Sequence, residues 1–303
     1  MAVLICGSLA FDTIMTFEGR FADQLLPEQL HILNVSFLVP SLRRDFGGCA
    51  GNIAYSLRLL GGKPLPMAAL GSDGADYLAR LNALGISTQH VLQVSDAYTA
   101  QAMIMTDLDN NQITAFHPGA MMQAHGNRIA EDASQHASLG IIAPDGRDAM
   151  LEHAAQFQAA GIAFVFDPGQ GLPMFNGAEL ARFVEQASWV TVNDYEGKML
   201  CERTGWSLAE LSGKVQGLVV TLGAEGCDVW IGGEKTHVPA VQPQRVVDPT
   251  GCGDAWRGAL LFGLEQGWPL VRCAELGNRL GALKVAERGP QNYVLDFDLA
   301  AAT

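Results

Sequence analysis

The chain has 303 residues, 49% of them hydrophobic and 17% charged, which supports a sizeable buried core and argues against disorder. Its 19 Lys and Arg against 32 Asp and Glu give a net charge of −13, which disfavours nucleic acid or an anionic membrane as main partner. A polyphosphate stays compatible, because backbone dipoles can make a pocket locally electropositive on an acidic protein.

The apolar run Ala2 to Cys6, closed by Gly7-Ser8, predicts a central parallel strand with ligand groups at its carboxyl end. Met1 to Phe11 has no basic start and is too short to span a bilayer, so it reads as a buried strand rather than a leader. Asp12 reads first as a turn residue or helix cap and second as an acceptor for a sugar's paired hydroxyls. From about 13 to 46 the α/β rhythm lapses into a polar segment and a β-like run from Ile32 to Val39, as in an insertion. Gly47-Gly48-Cys49-Ala50-Gly51-Asn52 then opens a helix with the apolar stripe Ile53, Leu57 and Leu60. Its glycines allow close backbone approach to a ligand, and Asn52 offers a donor and an acceptor. A strand from Leu65 to Leu70 and a helix from Ala75 to Leu84 complete a βαβ-like unit.

A second β-rich interruption, about 91 to 116, predicts a hairpin from Ala100 to Thr106 and Gln112 to Phe116 across the turn-forming Asp107 to Asn111. The two insertions together predict a small sheet over the main sheet's carboxyl edge, a lid to which Phe37 and Phe116 bring aromatic surface. Its strand edges suit pairing between two copies, hence a homodimer. Regular alternation resumes with strands at Leu139–Ala143, Ile162–Asp167, Trp189–Asn193 and Leu218–Leu222, separated by helices, and a terminal hairpin at Asp228–Ile231 and Thr236–Val238. The fold class is therefore α/β, a single domain over 1–303 with a mostly parallel central sheet and helices on both faces. Ligands belong at the carboxyl edge, where Ser8, Asp167, Asn193, Thr221 and Asp248 fall.

Asp248-Pro249-Thr250-Gly251-Cys252-Gly253-Asp254-Ala255-Trp256 is a glycine-flexed turn running into an amphipathic helix. The free N–H groups of a helix start attract anions, and Asp254 in the first turn is placed to take a proton from an attacking hydroxyl. The plainer alternative makes Asp254 a partner of the helix dipole. No GxxxxGK[ST] occurs, so this turn is the phosphate grip that remains. Asn193 and Glu196 suit either a water-held magnesium ion or a helix cap. Six dispersed cysteines with no CxxC pair fit reduced thiols in a cytoplasmic protein. Cys252, at a helix start, is expected to have a depressed pKa and hence redox sensitivity.

Gly47 to Asn52 resembles the first signature of the PfkB (ribokinase-like) kinases and Asp248 to Trp256 the second, with N-x-x-E at Asn193–Glu196 and T-L-G-x-x-G at Thr221–Gly226 between them. The N-terminal third, including Gln24 to Glu28 and Ser36 to Val39, is most similar to the bacterial adenosine kinases. That resemblance implies ATP-dependent phosphorylation of the 5′-hydroxyl of adenosine, a purine-salvage reaction. It makes Asp254 the base and the N–H groups of Gly251, Cys252, Gly253 and Asp254 the anion hole. Asp12, Gly48 and Asn52 are implied for the ribose, Ser8 and Ser36 near the nucleoside, and Phe116 and Gln170 at the base. Asn193 and Glu196 are implied to organise Mg2+, and Thr221, Gly223, Gly226 and Asn278 to line the ATP site. The carbonyls around Asp248 and Thr250 are implied for K+. Ala102 and Gly171 stand where an aromatic and a second glutamine are expected, which weakens the implication for adenine.

Overall fold

The protein is described from a computed structural model covering residues 1–24, 32, 34–109, 111–129 and 137–297. Leu25 to Glu28, which carry part of the resemblance, and Asn110 in the hairpin turn lie outside the described residues.

In chain order the strands and helices are β1 (Ala2–Cys6), β2 (Ala10–Thr16), β3 (Ser41–Gly47), α1 (Cys49–Leu59), β4 (Pro64–Leu70), α2 (Ala75–Ala83), β5 (Val91–Gln93), β6 (Ala100–Thr106) and β7 (Gln112–His117). They continue as β8 (Ala137–Ile142), α3 (Arg147–Ala160), β9 (Ala163–Phe166), α4 (Gly177–Gln186), β10 (Trp189–Asn193), α5 (Asp194–Thr204) and α6 (Leu208–Ser212). Last come β11 (Gly217–Thr221), β12 (Gly226–Ile231), β13 (Glu234–Pro239), α7 (Cys252–Glu265) and α8 (Leu270–Val285).

The main sheet runs β13-β12-β11-β10-β9-β8-β1-β4-β5. β11 through β5 are parallel, and β12 and β13 form the antiparallel terminal hairpin. Strand alternation explains its two cores. Val3 and Ile5 point to one face, with Ile53 and Leu57 of α1 and Leu260 of α7, while Leu4 and Cys6 point to the other, with Met150 and Phe157 of α3 and Leu180 of α4. A strand buried on both faces reads as a continuous apolar run, which is why β1, β8 and β11 were legible.

The second sheet, ordered β3-β2-β6-β7, departs from expectation in four places. β2 begins at Ala10, so Asp12 lies mid-strand and is neither a turn residue nor a cap. The segment from 34 to 39 is not a strand, and Ser41–Gly47 takes that place, its exposure giving no clear alternation. β5 belongs to the main sheet, parallel to β4, so the later insertion supplies only β6 and β7. β2 and β6 pair in parallel, which no hairpin rule anticipates. No helix among the described residues is long and apolar enough to cross a membrane.

Candidate active site

Two helix starts converge on one cleft. Gly48 (φ 84°) precedes α1 and Gly251 (φ 79°) precedes α7, both in the left-handed region that glycine enters without a Cβ penalty. At Gly48 a Cβ would also stand 2.6 Å from the Ser8 carbonyl and the Ala10 amide. Within the α7 turn, the Cys252 N–H turns back to the Pro249 carbonyl (3.1 Å) and the Ala255 N–H bonds the Gly251 carbonyl (2.9 Å). The N–H groups of Gly253 and Asp254 meet no acceptor among the described residues. These two amides are free to take an anion, and the Cys252 amide is not.

Cys252 departs from expectation in a second way. Burial pushes its thiol up to about 11, with Lys284 opposing, so it is not a reactive thiolate. The dipole of one helix start does not offset loss of solvent around the sulfur.

Asp254 faces Asn52 of α1, whose Nδ2 donates to its Oδ2 at 2.8 Å. Asn52, 4% exposed, is itself held by Gln291 Nε2 (3.1 Å), which also donates to the Tyr77 hydroxyl (2.9 Å). Tyr77 in turn donates to the Gly47 carbonyl (2.6 Å). The chain of bonds fixes the orientation of the acid. Burial pushes the Asp254 carboxyl up to about 6 and nearby Asp167 adds to this, while the Asn52 hydrogen bond and Arg257 pull it down. Asp12 also rises to about 6, through burial first and then the charges of Asp45, Asp254 and Asp248. A Cβ at Gly47 would lie 2.4 Å from an Asp12 carboxylate oxygen, so that glycine makes room for the acid.

The cleft, about 410 Å³, is lined by Gly251, Gly253 and Asp254 on one side and by Gln170, Asn193, Glu196, Thr221 and Gly223 on the other. Asp167, expected at the carboxyl edge with no specific role, also lines it, and so does Arg257, which the sequence did not single out. Arg257 donates through Nε and Nη2 to both Asp167 oxygens (2.9 and 2.8 Å) and through Nη1 to the Gly253 carbonyl (3.4 Å). It is the one cation among the lining residues, one turn beyond Asp254. A lone arginine inside the apolar stretch Ala255 to Leu261 was the available signal.

Asn193 and Glu196 form a reciprocal capping box on α5: Asn193 Oδ1 accepts from the Glu196 N–H (2.7 Å) and Glu196 Oε2 from the Asn193 N–H (2.8 Å). No cluster of three His, Cys, Asp or Glu side chains is placed to cage a metal among the described residues. What remains, Glu196 Oε1 and the Asn193 amide, fits a hydrated magnesium ion held through water.

Other expected positions lie apart from the cleft lining. Ser8 Oγ accepts the Cys49 N–H (3.2 Å) at the head of α1. Ser36 is exposed. Phe116 is 54% exposed, on the same face of the small sheet as Asp12, with which it shares the cross-strand row Asp45–Asp12–Ala102–Phe116. Asn278 is a weld rather than a cleft residue: it accepts from Trp256 Nε1 (3.0 Å) and donates to the Val238 and Pro239 carbonyls (3.2 and 3.0 Å). Gly226 is buried, and a Cβ there would sit 2.2 Å from the Val238 carbonyl.

Potassium does not fit the residues present. Buried Lys284 Nζ already donates to the Asp248 carbonyl (2.8 Å) and the Glu287 carbonyl (3.0 Å). Burial works to raise the Asp248 carboxyl, yet the N–H groups of Gly289 and Thr250 hold it below the usual range.

A ribokinase-like sheet, with a helix start bearing an acid and two open amides at its carboxyl edge, defines a class of phosphotransferase. The chain matches the pfkB family of carbohydrate kinases over residues 19–296 and belongs to that family. It is 28% identical over 297 residues to a nucleoside kinase of Methanothermobacter thermautotrophicus, covering 97% of this chain and 92% of that one. Among solved structures, a nucleoside kinase of Burkholderia thailandensis in complex with inosine is 52% identical with a TM-score of 0.87, covering 97% of this chain and 93% of that one. Its complex with ADP-inosine superposes with a TM-score of 0.84 at 52% identity, covering 97% and 92%. An adenosine kinase of Sinorhizobium meliloti, 23% identical with a TM-score of 0.76 over 99% and 98% of the two chains, shares the fold. The chain is thus a PfkB-type kinase of the nucleoside and sugar kinase group.

Proposed function

We propose that this protein transfers the terminal phosphoryl group of ATP to the 5′-hydroxyl of a purine nucleoside, adenosine or inosine. One observation carries the reading: the raised carboxyl of Asp254 stands beside the two uncommitted N–H groups of Gly253 and its own backbone. A hydroxyl between them loses its proton to Asp254 as its oxygen attacks phosphorus in line, and the amides take up charge on the phosphoryl oxygens. Arg257, fixed by Asp167, places the one cation of the cleft on that side. Asp12 accepts the ribose hydroxyls from the lid, with Gly48 and Asn52 behind it and Phe116 against the base. Thr221 and Gly223 border ATP. A magnesium ion held through water near Asn193 and Glu196 would neutralise charge on its phosphates.

The resemblance implied adenosine, and the Burkholderia kinase was crystallised with inosine. Gln170 suits either base, because its side-chain amide both donates and accepts and can answer an exocyclic amino or carbonyl group. Ala102, opposite Phe116 in register, leaves the base one ring instead of two, at a cost of about 1 kcal/mol. ADP release measured over adenosine, inosine, guanosine, cytidine, ribose and fructose should rank the two purine nucleosides first. A sugar turned over faster than every nucleoside would sink the reading. The lid further supports a homodimer, since its outer face carries the row Leu42–Met15–Met105–Ile113.

A further inference from the structure

Four of the five lysines are exposed, and the fifth, Lys284, has no exposure at all. It sits in the last turn of α8, beneath the turn that leads into α7. Burying an ammonium is costly unless it is paired and hydrogen-bonded. Here it is both. Nζ donates to the carbonyl of Asp248 (2.8 Å) and to that of Glu287 (3.0 Å), joining two chain segments, and the Asp248 carboxylate favours its charge against burial. Asp248 is fixed on every side: Oδ1 takes the Thr250 N–H, Oδ2 the Gly289 N–H, and its own N–H goes to the Val285 carbonyl (3.1 Å). Three residues later Gly251 starts the turn that leaves the Gly253 and Asp254 amides open.

Backbone carbonyls can replace the hydration shell of a monovalent cation, and a primary ammonium answers the same oxygens with up to three donors. We propose that Lys284 is a tethered monovalent cation for the anion-hole turn, so that the enzyme needs no free potassium or ammonium. The proposal rests on the phosphotransfer reading for its consequence on rate, and on geometry alone for its consequence on stability. It runs against the potassium site that the resemblance implies around Asp248 and Thr250.

The wild-type protein decides it first. ADP release with inosine and adenosine, and the melting temperature, are measured in choline chloride and in potassium chloride at matched ionic strength. Equal rates and equal melting temperatures are expected. Several-fold stimulation by potassium, or a potassium-specific rise in melting temperature, would overturn the proposal. Lys284→Ala opens the space the ammonium fills. In choline chloride its rate should fall on the order of 10²-fold through misplacement of the turn, and potassium or ammonium ions should restore part of it while raising its melting temperature. A folded Lys284→Ala protein that keeps the wild-type rate in choline chloride, or that neither cation affects, also overturns it. If that variant does not fold, the wild-type comparison stands on its own. Absence of ADP release with every nucleoside in both salts would count against the phosphotransfer reading, and the melting temperatures would still decide the cation.

Discussion

Asp254 carries two features that pull on the same measurement: a carboxyl raised to about 6 and a hydrogen bond from Asn52 that holds one oxygen in place. In its proposed role as base it must be ionised, so activity should be lost as pH falls through about 6, with Asp12 titrating over the same range and sharing the break. A kcat/KM profile flat from pH 5 to 8 would contradict this. Asp254→Asn should lower turnover by roughly 10²–10⁴-fold, read by ADP release, with the fold kept. Its effect on stability has a defined sign. The native carboxyl binds its proton more tightly than an unfolded one, whose pKa is about 4, so wild type loses stability relative to the variant as pH rises through about 4 to 6. At pH 8 the Asp254→Asn protein should therefore melt no lower than wild type, and any advantage should shrink toward pH 4. Gly47→Ala tests a neighbouring residue. Its Cβ would displace the Asp12 carboxylate, and the nucleoside KM should rise more than kcat falls.

At the scale of elements, the buried pair of Arg257 and Asp167 joins α7 to the end of β9, two segments 90 residues apart. Removing one partner strands a charge, so Arg257→Met should destabilise by about 3–5 kcal/mol, measured by urea unfolding. The double variant Arg257→Met with Asp167→Leu should recover most of that loss while leaving turnover depressed, because the cleft lining then has no cationic side chain. Recovery of full turnover along with stability would reduce the pair to scaffolding. The helices α4, α5 and α6 each start with a reciprocal capping box, at Asn176, Asn193 and Ser207. Only the second faces the cleft, so an unremarkable start signal serves a site by position alone.

Over the whole molecule, the small sheet presents two unlike faces. One face carries the row of Asp12 and Phe116, and the other sets Leu42, Met15, Met105 and Ile113 side by side, with Leu42 63% and Ile113 42% exposed. A row of that kind is stable in water when a second copy covers it. Light scattering should give a dimer for the wild type and a monomer for Leu42→Lys combined with Ile113→Lys, and a wild-type monomer at micromolar concentration would end the dimer proposal.

The order of elements and the acid at the head of α7 could be read from the chain because both depend on neighbours close in sequence. Strands buried on both faces become apolar runs, and a helix start after Gly251 places Asp254 whatever lies elsewhere. Contacts between distant segments could not be read that way. Asp12 lies in a strand paired in parallel with β6, Arg257 meets Asp167 across 90 residues, and Lys284 reaches the Asp248 carbonyl across 36. Cys252 shows the limit most directly. Its place at a helix start points to an acidic thiol, yet burial by the packed chain pushes that thiol up to about 11. The sequence by itself determined which helix starts and strand ends exist. Only tertiary packing decided which charges are desolvated together, because desolvation depends on everything that surrounds a group in the folded chain.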